Sequence, residues 1–391
     1  MLKSTRKTNK SSKKIYLDYA SSAFPNPSSI HLLGVAARKE LENARQKVAE
    51  ILYARPSEII FTSGGTESNN LAIQGLVFFY KSEKNILPHI VTTNIEHPSV
   101  LLTCRMLEKR KLAQVSIVLV EADGIVDVKK IKKEIKKNTV LVSVMYANNE
   151  IGTIQPIREI AKEIRHYRKV NKIDHLFFHT DAVQAVNYLD LNVERLGVDL
   201  LSISGSKIEG AGRVGLLYKK NSVPLTNIWG GGNQEGGLRP GTENSAEILK
   251  FSKALQVAES LKTKEVSRLV KLQNYFLNKI QHSNILKNVG MTINGSLENR
   301  LPNNINITIP QITSDLLVIE LSARGVYVSS KSACESGDGK ASYVIKAINK
   351  NSKETDGSLR FSFGRNTEKG DIDYVIKSLE QILTKLKKWY Y

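Results

Sequence analysis

Cysteine and histidine are scarce in this sequence. Only Cys104 and Cys334 occur among 391 residues, together with seven histidines. So few cysteines exclude a disulfide-stabilised scaffold and are typical of a reducing compartment. Because no cysteine pair stands at ligand spacing and no apolar run approaches the roughly 18 residues of a membrane-spanning helix, we predict neither a metal site nor a membrane span. The start of the chain also lacks the apolar centre of a secretory signal, so we expect a cytoplasmic protein.

Acidic residues are in short supply as well, since 38 Asp and Glu face 57 Lys and Arg and leave a net charge of +19. Residues 1–14 contain no acid, and we predict a flexible basic lead-in there, with an organelle transit peptide as the disfavoured alternative. Lysines cluster again at residues 129–137, around the apolar pair Ile131 and Ile135, and at residues 385–388. None of these clusters interleaves cations with aromatic residues at strand spacing. Solvated surface is therefore favoured over direct nucleic-acid binding.

Short apolar runs alternate with helical patterns from residue 15 to about residue 218. The runs are mostly apolar throughout rather than alternating, which is typical of strands buried on both faces. This order predicts an α/β fold with a mostly parallel sheet sandwiched by helices. The predicted strands are residues 58–62, 90–93, 115–120, 140–146, 176–179, 200–204 and 214–218.

A different pattern follows residue 244. A long helix is predicted at residues 245–281, and a mixture of short strands and helices follows it, at residues 305–309, 316–322, 326–328, 343–348, 359–363 and 372–388. We therefore divide the chain into the lead-in at 1–14, a large domain at 15–250 and a smaller α+β domain at 251–391 that carries Cys334.

Two familiar patterns are rejected because of their surroundings. Gly210, Gly212 and Gly215 match a dinucleotide-binding string, but they lead into a predicted strand, where that fingerprint requires a helix. His179 and Asp181 have the spacing of an iron site, but no suitable second histidine follows them in the same domain.

A polar, glycine-containing turn follows the first strand, at residues 63–69. Glycines at a strand-to-helix turn allow backbone N–H groups to approach an anion, and the N-terminus of a helix favours negative charge. The alternative is a tight structural turn with Thr66 as the N-cap. The turn alone leaves both interpretations open.

Asp181 and Lys207 follow two successive predicted strands. Groups at the ends of neighbouring buried strands face the same crevice of a parallel sheet. They form either a structural ion pair or part of a pyridoxal phosphate site. In the second case Lys207 carries the cofactor as a Schiff base, Asp181 keeps the pyridine nitrogen protonated, and the turn at Gly65 and Thr66 binds the phosphate.

Cys334 lies in a small, polar stretch at residues 330–340. A structural cysteine is usually buried among apolar residues, whereas this one is flanked by Lys331 and Lys340, which would favour the thiolate. We therefore favour a reactive thiol for Cys334 and expect Cys104, within a helical run, to pack in the core.

Taken together, the motifs resemble the cysteine desulfurases of the class V aminotransferase superfamily. These are pyridoxal phosphate enzymes of fold type I that supply sulfur to iron–sulfur cluster assembly and tRNA thiolation. The resemblance runs from Ile15 to the last helix and rests on residues 16–20, 26–31, 61–68, 96–97, 148–152, Asp181 with Gln184, Lys207, 239–244, 332–334 and 360–365.

The resemblance implies a role for each matching residue. Lys207 would bind the cofactor as a Schiff base, Asp181 would pair with its ring nitrogen, and Gln184 with its ring hydroxyl. His97 would stack on the ring and help to move protons. The phosphate would be bound by Gly65, Thr66, Ser204, Ser206 and, from the other subunit of a homodimer, Thr242. The substrate and its carboxylate would be bound by Asn149, Arg360 and Asn26, and Asn149 would also contact the cofactor.

The implied reaction converts L-cysteine to L-alanine. Lys207 would act as the base, and the Cys334 thiolate would take the sulfur atom as a persulfide and pass it to a scaffold protein for iron–sulfur clusters or to a tRNA-thiolation enzyme. The stretch from Cys334 to Ser342 resembles the longer-loop subgroup of the family. Other class V enzymes, such as an aminotransferase or a β-lyase acting on a cysteine analogue, are the alternative, followed by a basic nucleic-acid binder.

The sequence departs from the family pattern at three places. Ser206 replaces the histidine that usually precedes the Schiff-base lysine, so it can donate to a phosphate but carries no charge. Most of a segment that the family carries between Ser22 and Asn26 is missing. Trp229 and Gly230 stand where a histidine usually leads the glycine-rich segment that follows.

Overall fold

The computed structural model of the chain describes residues 15–22, 25–330, 342–353 and 355–390. The predicted lead-in at 1–14 and Cys334 lie outside the described residues. Strands and helices are numbered in chain order. The strands are β1 Ile59–Thr62, β2 His89–Thr93, β3 Gln114–Val118, β4 Thr139–Ser143, β5 Phe177–Asp181, β6 Leu200–Ser204, β7 Gly215–Lys219, β8 Thr292–Ile293, β9 Asn304–Ile309 and β10 Gly357–Ser362. The helices are α1 Leu32–Leu52, α2 Gly65–Ser82, α3 Pro98–Lys109, α4 Val128–Glu134, α5 Ile157–Asn171, α6 Val193–Leu196, α7 Ser245–His282, α8 Asn284–Asn288, α9 Ser314–Ser322, α10 Tyr343–Ile348 and α11 Lys369–Tyr390.

The first seven strands form one sheet in the order β1-β7-β6-β5-β4-β2-β3. Strands β6, β5, β4, β2 and β3 run parallel to one another, and β7 is antiparallel to both β6 and β1. Every residue of β2, β4, β5 and β6 is buried. The mostly parallel sheet of the predicted α/β fold is thus confirmed.

Consecutive strand residues pack into different hydrophobic clusters on the two faces of this sheet. Val142, Phe178 and Leu201 belong to the cluster formed with α1, α5 and the first half of α7, whereas Leu141, Phe177 and Leu200 belong to the cluster formed with α2 and α3. Because side chains alternate between faces along a strand, covering both faces with helices favours apolar residues at consecutive positions. That preference explains the apolar runs in the sequence.

The last three strands form a separate antiparallel sheet in the order β10-β9-β8. Its hydrophobic cluster includes α8, α9, α11 and the second half of α7, so the single helix α7 contributes to two cores. The smaller α+β unit is confirmed, while the proposed boundary between residues 250 and 251 falls inside α7 and stays a prediction. Residues 326–328, predicted as a short element, form neither strand nor helix.

The lysine-rich segment forms the expected surface helix. In α4 the side chain of Ile131 is buried, while Lys129, Lys130, Lys132 and Lys133 are exposed. The helix ends before Ile135, whose backbone is extended. Across the part of the chain that the structure covers, no helix is long and apolar enough to cross a membrane.

Two leucines of helix α7 differ in burial, and together they test how α7 packs in the core of the large sheet. Leu255 is fully buried in the cluster beneath the large sheet, whereas Leu261 on the same helix is 39% exposed. We expect Leu255→Ala to lower the free energy of unfolding by about 2–5 kcal/mol, because it removes buried apolar area and leaves a cavity. Leu261→Ala should change it by less than about 1 kcal/mol. Urea unfolding of both variants measures the difference, and equal losses would contradict the assigned packing.

Candidate active site

A cavity of about 410 Å³ lies beyond the carboxyl ends of β5 and β6, where parallel sheets place their ligand sites. It is lined by residues of the large sheet's loops and by Arg360 and Ser362 of the smaller sheet. Most of the predicted site residues meet here, namely Gly65, Thr66, His97, Asn149, Asp181, Gln184, Ser204, Ser206, Lys207 and Arg360.

The turn between β1 and α2 forms one wall of the cavity. Helix α2 begins at Gly65 with Gly64 as its N-cap, so the alternative with Thr66 as the N-cap is wrong. No side chain caps this N-terminus. The first N–H groups of a helix have no partner within it, and two hydroxyl groups stand nearby, because Ser204 Oγ and Ser206 Oγ lie 2.9 Å apart in the same wall. This combination of donors suits a bound anion.

Asp181 is the last residue of β5 and is 5% exposed. Its Oδ1 accepts a hydrogen bond from Val183 N at 3.0 Å, and its Oδ2 accepts one from Asn69 Nδ2 at 2.7 Å. Lys207 ends a short 3₁₀ helix, Gly205–Lys207, directly after β6. Both side chains line the cavity, but no ion pair joins these two described residues, so the structural ion pair is not found. The carboxylate is oriented and the lysine is left for a ligand.

His97 is the N-cap of α3 and lines the cavity beside Lys207. Its Nδ1 accepts a hydrogen bond from Ser99 N at 3.1 Å and lies 2.8 Å from Ser99 Oγ. Burial lowers the pKa of His97, the Asp181 carboxylate opposes that effect, and the Lys207 ammonium adds to it. The ring is therefore a neutral imidazole at neutral pH.

Arg360 reaches the cavity from β10. Its Nη1 donates to the backbone oxygen of Asn149 at 2.9 Å, which fixes the guanidinium next to the Asn149 side chain. Burial lowers the pKa of Arg360 and Glu150 opposes this, but a guanidinium remains charged at any physiological pH. Asn149 Oδ1 is buried without a partner among the described residues. The pair thus offers a planar cation and an unused acceptor to a ligand.

Two hydrogen bonds hold the N-terminal end of α10 near the loops that carry His97 and Asn149. Ser342 is the N-cap of α10 and donates from Oγ to Glu150 Oε2 at 2.5 Å, and Tyr343 donates from its hydroxyl to the backbone oxygen of Glu96, also at 2.5 Å. Upstream of the undescribed residues 331–341, Ser330 O accepts from Ser358 Oγ at 2.9 Å. The described residues on either side of the stretch that contains Cys334 are therefore attached near the loops that carry His97 and Asn149 and to strand β10, which carries Arg360.

Two of the predicted site residues that the structure describes, Asn26 and Thr242, are not part of this cavity. Asn26 forms a turn before α1, where its Oδ1 accepts from Ser28 N, and Thr242 is exposed in the segment before α7. Neither lines the cavity. Cys334 lies outside the described residues. Cys104 is fully buried in α3, as expected, and burial raises the pKa of its thiol.

The sequence predictions gave no role to several residues around the cavity. Asn69 and Ser99 connect Asp181 with His97, and Asn303 and Ser362 line the wall contributed by the smaller domain. Asn69 is the last residue of the polar turn at 63–69, and that turn was the available signal for it.

His179, part of the rejected iron pattern, has a structural environment. It is fully buried and contacts Ser143 Oγ and Ser202 Oγ. The structure, within its described ranges, holds no His, Cys, Asp and Glu group suited to a metal ion.

Comparison with known proteins gives consistent matches. The family described as Aminotransferase class-V matches residues 4–375. A protein named cysteine desulfurase IscS from Dictyoglomus turgidum is 40% identical and is aligned over 96% of both chains. A solved NifS-like protein superposes with a TM-score of 0.82 at 33% identity, covering 92% of each chain. SspA, solved in complex with cysteine, has a TM-score of 0.70 at 32% identity and covers 88% of this chain and 92% of its own.

Buried Glu96, the residue before His97, makes the free energy of unfolding depend on pH. It is fully buried, its Oε1 accepts from Thr93 Oγ1 and Met145 N, and Oε2 has no partner among the described atoms. Burial raises the pKa of Glu96 to about 8, so the folded state holds a proton that the unfolded state loses above its ordinary value of 4.5. Stability from this group is complete at low pH and falls as the pH rises from about 4.5 towards 8.

We expect Glu96→Gln to reduce that loss. Between pH 5 and pH 8 the unmodified chain should lose on the order of 1 kcal/mol or more of unfolding free energy relative to the variant. Urea midpoints measured in parallel at several pH values give the difference. Identical pH dependence in the two proteins would contradict a protonated Glu96.

Proposed function

The chain belongs to the class V aminotransferase family, as a member of its cysteine desulfurases, and we propose from this that it converts L-cysteine to L-alanine and passes the sulfur on as a persulfide. One observation carries the proposal: Lys207, Asp181 and Arg360 line one cavity, with the first two at the ends of adjacent strands and the third brought in from the smaller sheet. The cysteine bound by the structurally similar SspA supports the same substrate.

We propose pyridoxal phosphate as the cofactor, because the residues of the cavity fit its three parts. The uncapped N-terminus of α2 with Ser204 and Ser206 suits a phosphate, the oriented Asp181 carboxylate suits a protonated pyridine nitrogen, and Lys207 suits the aldehyde. Gln184 would bind the ring hydroxyl, and His97 would lie against the ring. When bound, the cofactor would take up electron density as bonds to the substrate carbons break.

The substrate would be held by Arg360 and Asn149. A guanidinium offers two parallel N–H groups to a carboxylate, and the unpartnered Oδ1 of the neighbouring Asn149 can accept a hydrogen bond from the substrate. Asn26, outside the cavity of a single chain, is proposed as a further substrate contact.

The chain's own groups would then move the protons and the sulfur. Lys207, once its amine is free, takes a proton from the substrate and returns one, and His97 assists. The Cys334 thiolate attacks the substrate sulfur, so that a sulfur–sulfur bond forms as the carbon–sulfur bond breaks. The carbon fragment gains a proton and leaves as L-alanine, and the sulfur remains on Cys334 for an acceptor. The acceptor would be an iron–sulfur scaffold protein or a tRNA-thiolation enzyme.

We further propose a homodimer in the cytoplasm. Large apolar side chains are exposed along residues 15–32, including Leu17 at 89%, Ile30 at 94% and Leu32 at 88%. Such a concentration of exposed apolar groups is typical of a surface that another chain covers. Thr242 lies away from its own cavity, in keeping with a contact to the phosphate bound by the other subunit. The shortage of cysteine favours the cytoplasm.

Cys334→Ser separates this proposal from another class V reaction. The variant should still bind pyridoxal phosphate and be yellow, but alanine formation from L-cysteine should fall at least about 100-fold because no thiol remains to accept the sulfur. Cys104→Ala, which changes the buried cysteine, should retain activity. Normal alanine formation by Cys334→Ser would contradict Cys334 as the sulfur acceptor, whereas a keto acid formed from L-cysteine in place of alanine would indicate an aminotransferase or a β-lyase.

Arg360→Lys tests the carboxylate contact. A lysine keeps the charge but loses the planar pair of donors, so KM for L-cysteine should rise about tenfold or more while cofactor affinity stays the same. Arg365→Lys is the matched control, since Arg365 pairs with Glu209 and does not line the cavity. Steady-state kinetics and fluorescence titration of the cofactor measure the two quantities. An unchanged KM would place the carboxylate elsewhere.

A further inference from the structure

A chain of hydrogen bonds runs along the wall of the cavity from Asp181 to His97. Asn69, on α2, donates both hydrogens of Nδ2, one to Asp181 Oδ2 at 2.7 Å and one to Ser99 Oγ at 2.8 Å. Ser99 Oγ in turn lies 2.8 Å from His97 Nδ1. Asn69 is 1% exposed, Asp181 5% and Ser99 7%, so the contacts are shielded from water.

The orientation of the Asn69 amide follows from its neighbours. An ionised carboxylate only accepts hydrogen bonds, so the nitrogen and not the oxygen of the amide must face Asp181. Asn69 Oδ1 is buried without a partner among the described atoms, which shows that the amide is held by its donors. Because Ser99 Oγ accepts from Asn69, its single hydrogen is left to point at His97 Nδ1.

Two donors therefore meet at one ring nitrogen. The backbone N–H of Ser99 donates to His97 Nδ1 at 3.1 Å, and the Ser99 hydroxyl donates to the same atom. A nitrogen that accepts hydrogen bonds carries a lone pair, so the ring hydrogen of neutral His97 is on Nε2.

We propose that Asn69 is a positioning residue, which orients Asp181 directly and, through the Ser99 hydroxyl, holds His97 as the neutral Nε2–H tautomer. The place of His97 in the reaction rests on the proposed function, whereas its tautomer does not. In this state His97 can donate a hydrogen bond from Nε2 and resists gaining a proton at Nδ1.

The charged groups around the ring affect its protonation as well. Asp181, at the end of β5, favours the imidazolium, and Lys207, in the 3₁₀ helix after β6, disfavours it. Hydrogen bonds donated to Nδ1 stabilise the neutral ring and so act in the same direction as burial. Removing the Ser99 hydroxyl, or the Asn69 donor that orients it, should therefore make His97 easier to protonate.

Nitrogen NMR of the histidine rings tests the proposal in the full-length protein saturated with pyridoxal phosphate. With ring-¹⁵N histidine, a pH titration reports both the tautomer and the protonation midpoint of each of the seven histidines, and His97→Gln identifies the signal. The unmodified protein should show the Nε2–H pattern at His97. An Nδ1–H pattern would overturn the proposal.

Two variants and one control complete the test. Asn69→Leu and Ser99→Ala should each raise the His97 midpoint by about half a unit to one unit. Thr103→Val should leave it unchanged, because the Thr103 hydroxyl bonds to the backbone oxygen of Ser99 and not to its Oγ. If Asn69→Leu does not fold, Ser99→Ala alone decides, and an unchanged midpoint there overturns the proposal.

The double variant separates an action through Ser99 from a direct one. If Asn69 acts through the Ser99 hydroxyl, Asn69→Leu with Ser99→Ala should shift the midpoint no further than Ser99→Ala does. Additive shifts would overturn the route through Ser99. A protein that forms no alanine from cysteine but shows these NMR results would contradict the proposed function and leave this inference standing.

Discussion

Burial of the central strands on both faces is the constraint on which the rest of this structure depends. Polar side chains inside these strands bond to one another, as fully buried His179 does with Ser143 and Ser202, so the groups that line the cavity collect where the strands end. Asp181 closes β5 and Lys207 follows β6, and the parallel pairing of these strands brings them to one edge of the sheet. The hydrophobic packing of the large sheet thus places the acid and the amine without any direct bond between them.

Helix α7 packs in both hydrophobic cores and so positions the smaller domain, whose residues complete the wall of the cavity. Because α7 is packed into both hydrophobic clusters, the sheet that carries Arg360 is attached to the sheet that carries Lys207. The contact of Arg360 with the backbone of Asn149, and of Ser342 with Glu150, then joins the two units at the site itself. The position of Arg360 in the cavity therefore depends on packing far from the cavity.

The sequence predicts the strands of the large sheet because each strand is a short apolar run. It also predicts the cavity residues that follow these strands, because each is a polar residue directly after such a run. Asn69, Ser99 and Glu96 could not be assigned roles, since their contacts join segments far apart in the chain. Ser206 departs from the family pattern, yet its hydroxyl lies 2.9 Å from that of Ser204 and lines the same wall. Asn26 and Thr242 lie outside the cavity of a single chain, where no local pattern could place them.

If Cys334 carries the sulfur as proposed, the anchored residues on either side of it would limit how far the sulfur moves. Ser330 is hydrogen-bonded to Ser358 of β10, and three residues lie between it and Cys334, so that the two Cα atoms are at most about 14 Å apart. On the other side, seven residues lie between Cys334 and Ser342. The shorter connection, to Ser330, would set the radius of delivery. An acceptor protein would therefore have to bring its own receiving atom close to the edge of the smaller sheet, and the shape of that edge would become a criterion by which acceptors are selected.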